Sequence, residues 1–262
     1  DGFVITPVGD QWTNVFSVIV QPDAKIIAAG YCTFNGTEDF AVVRYNANGS
    51  LDHTFSGDGI ATTSFTDGDD GGTDAVLLPN GNIVVGGYAG AQFGVAQFTT
   101  DGILDNNFHG DGKNMIQATL TNNGARSILA QPDGKILLGG YAQSTNGADL
   151  AIVRLTENGI PDYTFDGDGV MIFPVNPENT DELLGMAFQQ DGKILVTGYS
   201  RLNYHARMLV ARIISGITVS TKDEPVHVQQ VDVYPNPITD HIGISYDLDR
   251  QENLTFNLYD NQ

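Results

Sequence analysis

The residues of this chain with the most chemical promise are acids set among glycines. Gly-Asp-Gly occurs at 57–59, 110–112 and 167–169, and Asp67, Asp69 and Asp70 crowd the run Asp67-Gly68-Asp69-Asp70-Gly71-Gly72. Calcium takes carboxylate and carbonyl oxygens, and Asp/Gly loops present both. Asp67, Asp69 and Asp70 are therefore the metal candidates, and calcium is the one cofactor they suggest. The spacing does not fit the D-x-[DN]-x-[DN]-G-x5-E loop: Val170 stands fifth counting from Asp166, and Leu78 twelfth counting from Asp67. Gly-rich turns between strands account for the same residues without a metal. The five histidines, His53, His109, His205, His227 and His241, are scattered, whereas a zinc site needs at least three converging ligands. No nucleophile elbow, phosphate loop or H-E-x-x-H motif occurs. No catalytic or cofactor-binding residue is assigned on this basis.

Other charged residues recur. Asp52, Asp105 and Asp162 each stand three residues before a phenylalanine, Phe55, Phe108 and Phe165. Carboxylates for glycoside hydrolysis would be singular acids in one cleft. Acids that repeat instead point to turns, organised by accepting backbone N–H groups. Arg44, Arg154 and Arg212 recur too, with Gln97 in the second copy. An Arg–Asp hydrogen bond inside each repeating unit is the expected role.

The elements that must position these residues follow from a longer repeat. QPDAKIIAAGY (21–31), LPNGNIVVGGY (78–88), QPDGKILLGGY (131–141) and QQDGKILVTGY (189–199) are variants of one string, and Tyr31, Tyr88, Tyr141 and Tyr199 recur at intervals of 57, 53 and 58 residues. Such a period marks an array of supersecondary units that bury their apolar faces on one another. Within one period the apolar pattern splits into four short runs, near Val15–Val20, Lys25–Tyr31, Phe40–Tyr45 and Gly59–Phe65. β-branched residues and bounding Gly/Asn/Asp clusters make these strands. Asn80-Gly81, Asp133-Gly134 and Asp191-Gly192 predict two-residue hairpins. Asp23-Ala24 breaks that rule, so its turn should be strained or of another type. The second run is continuously small and apolar, which implies burial on both faces, and its interior glycines imply close backbone approach. Four-stranded sheets buried on both faces by like sheets are β-propeller blades. A β-solenoid competes, but lacks this hairpin logic.

A second recurrent block reads FAVVRYNANGSLDHTFSGDGI (40–60), FGVAQFTTDGILDNNFHGDGK (93–113) and LAIVRLTENGIPDYTFDGDGV (150–170), with MLVARIISG (208–216) as a partial fourth copy. Together the two blocks resemble the delta-60 repeat, a β-propeller domain of unknown function, over residues 1–216. The spacing concentrates length variation in Cys32–Asp39, Ala89–Gln92, Ala142–Asp149 and Ser200–Arg207, which should emerge as variable loops on one face. Asp1-Gly2-Phe3-Val4-Ile5-Thr6 matches the start of a fourth strand, as in Asp58–Thr63. Phe3–Thr6 is expected to complete the last blade by pairing with Met208–Ile214. The fold class expected is all-β: about four four-stranded antiparallel blades and a small C-terminal β module.

Residues 217–230 match no repeat and read as a linker. In 231–262, Ile242, Ile244 and Tyr246 alternate with polar or small residues, as do Leu254, Phe256 and Leu258, which predicts a small antiparallel module. VYPNP, with Tyr234, Pro235, Asn236 and Pro237, resembles the C-terminal sorting domain of the type IX secretion system, lacking the Gly-containing final strand usual there. That resemblance implies export to the surface or surroundings of a Gram-negative cell, recognition by the type IX machinery, and removal of the module on arrival.

The chain has 262 residues, with 12 Lys and Arg against 32 Asp and Glu, a formal charge of −20. Without clustered cations, nucleic acid and anionic membranes are poor partners. No apolar run approaches the roughly 20 residues of a membrane helix, and Cys32 alone offers no disulfide. No signal peptide is visible, and a chain opening at Asp1 without methionine and stopping at Gln262 in mid-pattern reads as a fragment. The functional expectation is a secreted or surface-displayed propeller, non-catalytic, whose rigid ring presents loops to an extracellular glycan or protein. The alternative is a hydrolase or lyase acting on extracellular polysaccharide in the channel, which would need unrepeated acids, His, Arg or Tyr converging there. A purely structural surface component is a third.

Overall fold

A computed structural model of the chain describes residues 2–176, 179–189, 193–202, 205–213, 231–233 and 244–246. It divides into two compact units, Asp1–Thr218 and Val219–Gln262. In the first unit the repeat becomes blades. Blade one is β1 (Thr13–Val20), β2 (Ile26–Phe34), β3 (Thr37–Tyr45) and β4 (Ile60–Thr63), hydrogen-bonded in that order. Blade two is β5 (Asp70–Leu77), β6 (Ile83–Ala89), β7 (Gln92–Phe98) and β8 (Lys113–Ile116); blade three is β9 (Asn123–Ala130), β10 (Ile136–Gln143), β11 (Ala148–Leu155) and β12 (Val170–Phe173). Blade four has three strands among the described residues, β13 (Asp181–Phe188), β14 (Ile194–Leu202) and β15 (His205–Ile213). All pairings are antiparallel, and the fold is a β-propeller. No helix of the described residues is long and apolar enough to cross a membrane.

The continuous apolar runs behave as their composition requires. Leu138 packs toward blade two, in a cluster with Val84, Val95 and Phe108, while its neighbour Leu137 packs toward blade four with Ile152, Leu183 and Val196. A third cluster joins Phe40, Val42 and Phe55 of blade one to Ile83, Val85 and Phe98 of blade two. Each of these three blade interfaces is thus one apolar layer. Phe55 rests on Gly102 and Phe108 on Gly159, where a Cβ would lie 2.8 Å and 2.6 Å from the ring.

Three details differ from the sequence expectation. In blades one to three the first hairpin uses a three-residue loop, not two. Gln21 N–H donates to Lys25 O at 2.8 Å and Ala24 N–H to Gln21 O at 2.9 Å, and the pattern repeats at Leu78–Asn82 and Gln131–Lys135. Only the third loop residue has positive φ: Ala24 at 66°, Gly81 at 85° and Gly134 at 86°. Pro22, Pro79 and Pro132 open these loops because a fixed φ near −65° suits the first corner of a type I turn. Ala24 therefore keeps the shared geometry and bears the strain of a left-handed L-residue, roughly 1–2 kcal/mol. Ala24→Gly is expected to stabilise the protein by up to about 1 kcal/mol, net of glycine's unfolded-state entropy, read as a raised urea midpoint; a lowered midpoint would contradict the strain.

Second, the segments expected to be variable loops are largely hairpin arms. In blade one pairing runs out to Phe34 and Thr37, closed by Asn35-Gly36 with φ of 53° and 92°, a true two-residue primed turn. Blade two closes after Ala89 and Gln92, and blade three after Gln143 and Ala148. Blade one takes up its extra length as two added ladder pairs, and blade three as one added pair and a four-residue turn.

Third, Gly2–Thr6 lies in no strand and does not complete blade four; β15 pairs with β14 alone among the described residues. (Ile214 lies outside the described residues.) The N-terminal segment covers the outward face of blade one instead. Val8 joins buried Cys32, Ala41 and Val43, Tyr45 Oη donates to Thr6 Oγ1 at 2.8 Å, and Asp10 N–H donates to Thr33 O at 2.9 Å. That face would otherwise be an apolar sheet surface in water, and the segment nearest in sequence masks part of it.

In the second unit, β16 (Val231–Val233) and β17 (Ile244–Tyr246) form an antiparallel pair. The expected linker at 217–230, the sorting motif Tyr234, Pro235, Asn236 and Pro237, and the turn Asp191-Gly192 lie outside the described residues.

Candidate functional site

The charged residues that repeat are architectural. Arg44 Nε donates to Asp52 Oδ2 at 2.7 Å and Arg154 Nε to Asp162 Oδ2 at 2.8 Å, all four side chains buried. Lys25 and Lys135 close on the same carboxylates at 3.0 Å and 3.2 Å. Each guanidinium also lies 4.6 Å over a ring, Phe55 or Phe165. Blade two makes the same knot from amides: Gln97 Nε2 and Asn82 Nδ2 each reach Asp105 Oδ2 at 2.9 Å. The other carboxylate oxygen accepts from the backbone two residues on, at Thr54, Asn107 and Thr164, which is the expected turn role. Burial pushes the Asp162 carboxyl upward, but the Thr164 hydroxyl and amide, Lys135 and Arg154 outweigh it and hold it at about 2. Asp52 is likewise held well below the carboxylate range.

The acidic run at 67–72 is a clamp between blades. Asp70 is buried, and its oxygens accept from the Phe65, Thr66 and Gly90 amides at 2.7–2.9 Å. Asp69 Oδ1 accepts from Glu38 N–H at 3.1 Å. Asn123 and Asp181 hold the matching positions of blades three and four, so Asp70 belongs to the scaffold. Among the described residues no three His, Cys, Asp or Glu side chains group as metal ligands. His53, His109 and His205 are exposed, and His109 sits in a turn with φ of 51°.

The site itself arises from one distortion repeated four times. Every innermost strand carries a β-bulge that leaves one residue out of the ladder: Phe16 in β1, Thr73 in β5, Arg126 in β9 and Leu184 in β13. A bulge re-aims its extra residue. Here all four line a single cavity of ≈ 400 Å³, together with Tyr31 and Tyr88. The glycine before each repeat tyrosine makes room for the bulge. A Cβ on Gly30, Gly87, Gly140 or Gly198 would lie 1.9–2.0 Å from the carbonyl oxygen of Asn14, Gly71, Gly124 or Glu182. The Gly-Tyr string is therefore the backbone signature of the site.

Hydrogen bonds fix the tyrosines. Asn14 Nδ2 donates to Tyr31 Oη at 2.6 Å, Tyr88 Oη donates to Glu38, and Tyr199 Oη donates to Glu182 Oε2 at 2.6 Å. Arg126 Nε donates to the other oxygen of Glu182 at 2.6 Å, and its guanidinium lies 5.1 Å over the Tyr141 ring. Burial, and then the hydrogen bond and charge of Glu38, push the Tyr88 hydroxyl far above the usual phenol range. Burial also raises Tyr141, with Glu182 adding and Arg126 opposing. Below the cavity a belt ties the blades: Ser17 Oγ donates to Asp74 Oδ1 at 2.9 Å, Ile128 N–H to Asp74 Oδ2 at 3.0 Å, and Met186 N–H to Ser127 Oγ at 3.2 Å.

Motif and repeat reasoning on the sequence does not single out Arg126, Glu38 or Glu182. Aligning the innermost strands on the Gly-Tyr string does find Arg126, because Phe16, Thr73 and Leu184 hold its equivalent positions and carry no charge.

Residues 21–55, 78–108 and 131–165 match the family model described as domain of unknown function (DUF5122) beta-propeller. The match falls on the first three copies of the repeat. In this propeller the matched segments run from the first hairpin through the Asp knot, so they carry the scaffold and leave out the bulged strands that line the cavity. No curated protein matches the chain. Among solved structures it is similar to an endo-arabinase from Bacteroides thetaiotaomicron, at 8% identity over 76% of this chain and 74% of that one, with a TM-score of 0.41. It is also similar to a catalytically inactive virginiamycin B lyase from Staphylococcus aureus with quinupristin, at 11% identity over 77% and 71%, with a TM-score of 0.35. At such scores the likeness says nothing of what this chain does.

Proposed function

We propose that the chain is an extracellular, non-catalytic binding propeller whose central cavity takes a small glycan, exported by the type IX machinery through residues 231–262. One observation carries the binding reading. The four bulge positions are equivalent by repeat, yet hold Phe16, Thr73, Arg126 and Leu184, side chains of four different chemistries facing one cavity. Scaffold positions repeat; a surface that recognises a ligand need not. The cavity is in the size range of small-molecule sites and pairs aromatic walls with a few fixed polar groups. The VYPNP motif and the antiparallel β16–β17 pair support the export reading.

A glycan array followed by calorimetry on the whole chain tests the first part. Binding is expected to weaken about tenfold or more in Phe16→Ala, which removes an exposed ring and leaves the core intact. An array silent at every glycan would end the proposal. For export, a reporter fused to residues 231–262 should reach the outside of a cell that has the type IX system; a reporter kept inside removes that part. A hydrolytic reading has one observation in its favour, the unrepeated acids Glu38 and Glu182 beside the cavity, although each already accepts a tyrosine hydroxyl. Release of reducing ends from an arrayed glycan would favour it.

A further inference from the structure

Among the described residues, Arg126 is the one charged group on the cavity wall. Glu182 takes its Nε–H and Tyr141 lies under its plane, so two contacts fix the direction of the guanidinium. Neither uses Nη1 or Nη2, which carry four of its five N–H donors, and no hydrogen bond joins them to a described residue. A planar fork held from behind, with its outer donors at a cavity, matches a carboxylate bidentately.

Resting on the glycan reading above, we infer that the cavity recognises a single uronic-acid residue, its carboxylate held by the Nη fork of Arg126. Phe16, Tyr31 and Tyr88 supply ring faces for the apolar C–H side of the sugar, and Phe16 and Tyr31 already sit 5.8 Å apart, inclined at 35°. The Tyr31 hydroxyl accepts from Asn14, and the Glu38 carboxylate beside it competes for its own O–H, so the sugar is not assigned that donor. Thr73 likewise has no hydrogen to offer, since its Oγ1 donates to Ala125 O at 2.9 Å.

The charge count chooses carboxylate over phosphate. A phosphate monoester brings nearly two negative charges at neutral pH, against one cation already shared with Glu182. The same count limits the length of the ligand. With a formal charge of −20, the protein repels a polyuronate along its whole length, whereas one carboxylate at short range is governed by its local partner, because screening removes charges beyond about 8 Å at physiological salt. The occupant is therefore a terminal uronate on an otherwise neutral glycan.

The test is calorimetry of the whole chain with glucuronate, galacturonate, glucose and galactose as probes, in wild type, Arg126→Lys and Arg126→Ala. Wild type should bind at least one uronate about tenfold more tightly than its neutral counterpart, a difference the size of one charge-assisted pair. Arg126→Ala should erase that preference and retain the neutral-sugar affinity, which shows that the cavity has survived. Arg126→Lys should lose most of the preference, because an ammonium offers a point charge in place of a fork. If wild type binds neutral sugars as tightly as uronates, or Arg126→Ala keeps the preference, this inference is overturned while the glycan reading stands. If none of the sugars binds, both fall.

Discussion

Replacing Gly87 by alanine is expected to cost the propeller about 4 kcal/mol or more, at the severe end for a single substitution. The new Cβ would meet Gly71 O at 1.9 Å, Gly71 C at 2.8 Å and Gly72 Cα at 3.0 Å. All three are backbone atoms of the neighbouring strand, so no rotamer change relieves the contact. Relief requires β5 to move away from β6, which opens the ladder on the cavity side of blade two and disturbs the bulge that presents Thr73. Gly110→Ala is the control. Gly110 has φ of +92°, but a methyl group added there would meet nothing within 4 Å, so its cost is backbone strain alone, roughly 1–2 kcal/mol. Urea denaturation of both variants separates close approach from left-handed strain. Equal losses would mean that the glycine before each tyrosine serves only conformation, and the account of the bulge would be wrong.

This distinction also marks what can be read from the chain. The strand count, the burial of Leu137 and Leu138 on opposite faces and the Arg44–Asp52 knot follow from residues that repeat, because each copy must solve the same packing problem. The interior glycines announce a close approach, but not its cause. A bulge removes one residue from an alternation, and in an apolar strand such as β1 that leaves no visible break. Phe16 and Leu184 read as ordinary strand hydrophobes, and only the ladder shows that they face a cavity. In the first-hairpin loops Asp-Gly points to a two-residue turn only while the proline before it is ignored. Closure by Phe3–Thr6 follows from the match of Asp1–Thr6 to Asp58–Thr63 together with a strand count. Such a count is silent about the competing demand of blade one's outward face, where Val8 packs on Cys32 and Ala41.

The second large effect is expected at the buried knot of blade three. Arg154→Ala removes the Nε contact to Asp162, the Thr164 contact at 3.0 Å and the stack on Phe165. Breaking a buried ion pair from one side typically costs about 3–5 kcal/mol, and the lower figure applies because Lys135 remains 3.2 Å from the carboxylate. Arg154→Gln should cost clearly less, since blade two satisfies Asp105 with Gln97 and Asn82 and no cation at all. The pH dependence gives an independent reading. Asp162 is held at about 2 in the folded chain, against about 3.9 when unfolded. The unfolded state therefore takes up the proton first as pH falls. Its stabilisation is complete above about pH 4 and is lost as pH drops through 2. Asp162→Asn should be less stable than wild type at pH 7, and its urea midpoint should fall less between pH 4 and pH 2. Parallel acid limbs for the two proteins would place the acid sensitivity elsewhere, and Asp162 would then stabilise the blade through its Thr164 turn contacts without contributing to the titration.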